Sequence, residues 1–156
     1  MTVLTKTPRL GLLGVLLLTL GVHSMAAAAD KPVINASSAA VTLDVYSGRP
    51  NPTWPLSETM TAELLRRLGA LNASSVDVAD FDGLGYRAVQ AEFTGEPKGT
   101  GVSASRGIVT LDQAGQRFRY ADPGRQFELW LVNTGADHLP SDLLQYVTKE
   151  IASKAQ

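Results

Sequence analysis

Two hydrophobic periods alternate along this chain. Val41, Leu43 and Val45 interleave with Thr42, Asp44 and Tyr46, the period of two that sets one face of a strand against a core. Residues 86–93 alternate less regularly and also predict a strand. Residues 102–111 predict another, strongest over Ile108, Val109, Thr110 and Leu111. Asp112-Gln113-Ala114-Gly115 then reads as a turn that closes a hairpin onto residues 116–120. Between these strands the period changes. Met60, Leu64, Leu65, Leu68 and Leu71 form one apolar helical stripe, with Ser57 as N-cap and Glu58 in the first turn. Glu63 and Arg67 make an i,i+4 pair on the same helix, and Gly69 marks its exit.

Residues 125–132 satisfy both periods. Phe127, Leu129 and Leu131 would share one face of a strand, whereas Phe127, Trp130, Leu131 and Thr134 fall at helical spacing. Asp122-Pro123 decides for the helix, because a cap followed by proline at the first helical position is a strong opening. Leu139, Leu143, Val147 and Ile151 recur every four residues and predict a last helix over 141–154. The expected order is β-α-β-β-β-α-α. This is an α+β fold, a mostly antiparallel sheet with about three amphipathic helices, in a single domain over residues 41–154. Residues 30–40 are small and polar and read as a flexible leader.

The first 29 residues have a different character. Lys6 and Arg9 precede thirteen uncharged residues, 10–22, and an alanine tract leads to Asp30, the first acid of the chain. That pattern is a signal peptide cleaved near Ala29, and the apolar run is too short for a membrane span. The expected location is therefore the periplasm or the medium, with no membrane span once the signal is removed. Loss of residues 1–29 removes two cations and no acid, so the net charge moves from −1 to −3. Such a balance argues against a nucleic-acid partner, which a clear basic excess would announce. The chain has no cysteine, so the mature domain rests on its packed core, without disulfides or thiol chemistry.

Catalytic patterns are missing. There is no G-x-G-x-x-G, no phosphate-cradling G-x-x-x-x-G-K-[ST], no H-E-x-x-H and no G-x-S-x-G. Asp137, His138 and Ser141 are near neighbours in sequence, but a hydrolytic triad is assembled from separated segments. His138 is the single histidine beyond the leader, which leaves little with which to bind zinc, copper or haem. The acidic stretch 77–83 approaches a calcium loop, yet Val78 and Val89 stand where the first ligand and the bidentate acid belong. No metal or cofactor is expected.

One segment stands apart: Ser47-Gly48-Arg49-Pro50-Asn51-Pro52-Thr53-Trp54-Pro55. Each proline holds the residue before it out of the helical region, so this is a stiff loop. Arg49 offers a planar five-donor fork, Asn51 both donors and acceptors, and Trp54 a stacking face; together they suit recognition. Trp54 equally suits a core anchor against Met60, Leu64 and Leu68. The motif S-G-R-P-N-P-x-W, followed by the helix and by Gly83-Leu84-Gly85-Tyr86-Arg87, resembles small exported bacterial proteins of unassigned function. The resemblance implies that the loop and the Gly83-Leu84-Gly85-Tyr86 turn belong to one structural unit. Arg49, Asn51, Trp54, Tyr86 and Arg87 are thus the candidate ligand-binding residues. The leading expectation is a non-catalytic binding or interaction domain for a small molecule, a glycan or a protein. Two alternatives stand beside it: a carboxylate-based hydrolase of wall or sugar polymer, and an inhibitor or immunity-like partner of another exported protein.

Overall fold

A computed structural model describes residues 31–76 and 83–154. The segment read as a signal peptide and nearly all of the acidic stretch lie outside the described residues. Eleven elements follow in order: β1 (Ser38–Asp44), β2 (Thr53–Leu56), α1 (Glu58–Ala70), β3 (Asn72–Ala73), β4 (Ala88–Thr94), β5 (Gly101–Ser105), β6 (Ile108–Gln113), β7 (Gln116–Ala121), a 3-10 turn (Pro123–Arg125), α2 (Gln126–Asn133) and α3 (Ser141–Ser153). The strands form one antiparallel sheet in the order β2-β1-β4-β5-β6-β7-β3. The α+β class and the three helices agree with the sequence reading.

Alternation decides which face of the sheet is covered. Val41, Leu43, Val89, Ala91, Val102, Ala104, Val109 and Leu111 are buried, while Thr42, Gln90, Ser103 and Thr110 between them keep contact with solvent. Helix α1 packs on β1 and β2, α2 packs on β4 and β5, and α3 packs on α2. All helices therefore lie on the apolar side. In α1, Ser57 Oγ accepts from Met60 N at 3.2 Å, and Leu64 and Leu68 point into the core. Its far end is closed from outside the helix: the Lys31 ammonium donates to Gly69 O and, at 2.6 Å, to Leu71 O. A cation on the last carbonyls of a helix also suits the helix dipole.

The sequence reading needs four corrections. Strand β1 begins at Ser38, inside the segment read as leader, and Ile34 and Ala36 pack against the core. Strand β2 lies within the stretch read as loop. Pro55 is tolerated there because β2 is an edge strand, where a missing N–H need not break a ladder. Residues 72–85 read as loop in the sequence, yet the short β3 pairs with β7 at Asn72 and Ala73. Finally, residues 102–111 are two strands joined by a two-residue turn at Arg106 (φ 53°) and Gly107 (φ 81°). Ala114 (φ 51°) and Gly115 (φ 78°) repeat that geometry between β6 and β7. Two successive positive φ values are the twist that a tight hairpin requires.

Candidate functional site

The five candidate residues do not form one surface. Trp54 is 2% exposed. Its Nε1 donates to Thr134 Oγ1 at 2.9 Å, and a Cβ on Gly135 would lie 2.8 Å from its ring, so the indole closes over the end of α2. It offers no stacking face to a ligand. Asn51 organises its own loop: Oδ1 accepts from Val45 N (3.0 Å) and Tyr46 N (2.8 Å), and Nδ2 donates to Asp44 (2.9 Å). Arg49 is exposed, its guanidinium carbon 3.5 Å from the centre of the Tyr46 ring. Tyr86 and Arg87 alone line a concavity.

Their position is set by Gly85 (φ 93°). A Cβ at that residue would stand 2.7 Å from the Tyr146 hydroxyl of α3. Both the backbone angle and the close approach demand glycine. Beyond it, Arg87 donates from Nε to Asp44 Oδ2 (3.0 Å), from Nη2 to Asp44 Oδ1, and from Nη2 to Tyr46 O (2.7 Å). The hydrogen bonds from Arg87 hold the Asp44 carboxyl below its ordinary range, assisted by Asn51 and opposed by burial.

Tyr86 reaches the opposite way. Its hydroxyl donates to Glu128 Oε1 at 2.6 Å, and burial, reinforced by the charge of Glu128, raises the phenol. Glu128 is fully buried and also accepts from Arg125, at 2.8 Å from Nε and 2.6 Å from Nη2. Arg125, 5% exposed, takes a left-handed backbone (φ 54°, ψ 36°) directly after Gly124 (φ 65°). A non-glycine residue persists in that region only where its surroundings over-determine it. Here the two bonds to Glu128 do so. Asp122 completes the group: its carboxylate accepts from Phe127 N (2.8 Å) and Glu128 N (3.0 Å), capping α2 across the 3-10 turn. Burial raises the Asp122 carboxyl, against the pull of those two amides.

Above this buried network lies a cleft of about 390 Å³, lined by Tyr86, Arg87, Arg106, Arg125, Glu150 and Lys154. Four of the six are cationic. Arg106 comes from the β5–β6 turn, and Glu150 and Lys154 from the end of α3, where they pair at 2.7 Å as exposed side chains. Arg87 spends three donors on Asp44 and Tyr46, which leaves its Nη1 group for another acceptor. Arg87 is thus ordered before any ligand arrives, whereas buried Arg125 also donates from Nη1 to Ile151 O at 3.4 Å and forms the floor of the cleft.

Sequence reasoning missed Arg106, Arg125 and Lys154. Arg106-Gly107 carried only a weak hairpin signal, a glycine without the usual asparagine or aspartate before it. Glu128 carried another: it shares the apolar face of α2 with Leu131 and Val132, where an acid needs a buried partner. Among the described residues no three His, Cys, Asp or Glu side chains gather as metal ligands, and no helix is long and apolar enough to cross a membrane. Comparison with known proteins found no matching family model, no similar curated protein and no similar solved structure.

Proposed function

We propose that the chain is an exported, non-catalytic binding domain whose cleft takes a ligand bearing a carboxylate or phosphate group. The observation that carries this reading is the convergence of Arg87, Arg106 and Lys154 on one concavity beside Tyr86, over the buried charge of Arg125. Forked guanidinium donors match planar or tetrahedral oxyanions. The carboxylates that flank the cleft favour binding over hydrolysis. Asp44 and Glu128 are each spent on an arginine, and Glu150 on Lys154. That last pair is exposed and therefore weak, so an incoming anion can take Lys154 at little cost.

Inorganic phosphate and citrate are the first probes, against chloride at equal ionic strength. A ligand that binds only the folded state raises the melting temperature in proportion to its occupancy. The rise should appear with wild type and with Arg49→Ala, and should fall in Arg106→Ala and Lys154→Ala. Equal melting in both anions and chloride would remove the proposal. Export rests on residues 1–29, and the exported chain should begin between Ala27 and Lys31 by N-terminal sequencing. Full-length chain in the membrane fraction would contradict it.

A further inference from the structure

Four large hydrophobic side chains stand in solvent among the described residues: Val33, Val76, Leu84 and Tyr146. The last two are brought together at the rim of the cationic cleft. Tyr146 belongs to the row of α3 that walls it. Residues four apart share one face of a helix, and Tyr146, Glu150 and Lys154 succeed one another at that spacing, the last two lining the cleft. Val147 and Ile151 take the core side of the same helix, which leaves the Tyr146 ring 45% exposed.

That ring is also held at its far end. Its hydroxyl lies against Gly85, the residue whose absent Cβ makes room for it. Gly85 joins Leu84 to Tyr86. The turn that delivers Tyr86 to the cleft therefore carries Leu84, 85% exposed, past the end of the Tyr146 ring. Exposed hydrophobic residues scattered singly are ordinary, whereas apolar surface gathered beside charged groups marks a place of contact. A tyrosine fixed at both ends offers such surface with little entropy left to lose.

Charge and carbon are thus separated along the site. Arg87, Arg106 and Lys154 attract an oxyanion at one end, and Leu84 with the Tyr146 ring offers apolar surface at the other. A bare inorganic anion would use only the first of these. We infer, building on the proposed anion site, that its ligand is a small amphipathic anion: a carboxylate or phosphate head carrying one alkyl or aryl group several carbons long, which lies along Leu84 and Tyr146. The inference rests on that reading of the cleft, and the two fail in different ways.

The probes are methyl-, butyl- and hexylphosphonate with the matching carboxylates, kept monomeric and titrated calorimetrically into the protein. Each methylene taken out of water tightens binding by about fourfold, so hexylphosphonate should bind about tenfold or more tighter than methylphosphonate. Leu84→Ser and Tyr146→Ala should bring that ratio toward one. Tyr146→Phe should keep it, because the ring and not the hydroxyl faces the chain, and Arg49→Ala should leave it as in wild type. Lys154→Ala should weaken the short and long phosphonates by the same factor. Reading a ratio guards against a variant that merely disturbs the cleft, since such damage acts on the shared head group. The inference is overturned, with the anion site intact, if methyl- and hexylphosphonate bind equally or if Leu84→Ser and Tyr146→Ala both keep the ratio. Absence of binding by every anion removes both. Binding to phosphatidylglycerol vesicles without any preference among monomeric phosphonates also overturns it, and would give the apolar rim to a membrane surface.

Discussion

Trp54 and Arg49 come from the same proline-rich stretch and meet opposite fates. The Trp54 ring is enclosed by the end of α2, whereas Arg49 lies on Tyr46 in solvent. Trp54→Ala should therefore cost about 3–5 kcal/mol, as large aromatic truncations in cores do. Arg49→Ala should cost under about 1 kcal/mol, the scale of an exposed cation–π contact. Denaturant melts of the two variants test the contrast, and equal small losses would deny Trp54 its place in the core. Asp44 gives a third residue-level test, through pH. Its folded carboxyl titrates below the ordinary value of 3.8 because Arg87 favours the charged form. The stabilisation is thus complete above that ordinary value and disappears as pH falls through the depressed one. The stability gap between wild type and Asp44→Asn should be widest near neutrality and should close on acidification. A gap that stayed constant down to strong acid would show that the ion pair does not report on stability.

At the level of elements, the entry to α2 concentrates the risk in this fold. A left-handed arginine, a fully buried glutamate and a capping aspartate all meet within residues 122–128. Burying an ion pair is costly, and removing one partner alone is worse, because the other charge is then stranded. Glu128→Gln should cost about 3–5 kcal/mol by that route. Replacing both charges and the phenol hydroxyl, Arg125→Met and Glu128→Leu with Tyr86→Phe, should cost less than the single change, since neither a charge nor a buried hydroxyl is left without a partner. Urea unfolding of the two variants separates the cases. A triple variant less stable than Glu128→Gln would mean that the network itself, and not the avoidance of a stranded charge, holds α2 in place.

Over the whole molecule, what was legible in the sequence was what is local in space. Helix α1 declared itself because Ser57, Glu58 and the leucine stripe are consecutive turns of one element. The second strand of the sheet stayed hidden because Pro52 and Pro55 argue for a loop unless the strand is known to lie at an edge. The β5–β6 turn stayed hidden because Arg106 occupies a position where asparagine or aspartate is the usual signal. The cleft was half legible. Tyr86 and Arg87 were marked by the glycines before them, but Arg106, Arg125 and Lys154 arrive from three distant segments, and no local pattern registers that convergence. Trp54 shows the same limit: its partner Thr134 lies 80 residues away.

The strand order also bears on how the chain reaches this state. β4, β5, β6 and β7 pair with their immediate neighbours through short connections, two of them tight turns. β1 instead sits between β2 and β4, and it stays without its second neighbour until Thr94 has been synthesised. A two-stranded ribbon is marginal by itself in water. Local pairing is also the kinetically cheap kind, because little loop entropy is spent before contacts form. The four-strand meander is accordingly expected to pair first, with β1 docking against β4 afterwards; pulse-labelled amide exchange should protect β5 and β6 before β1.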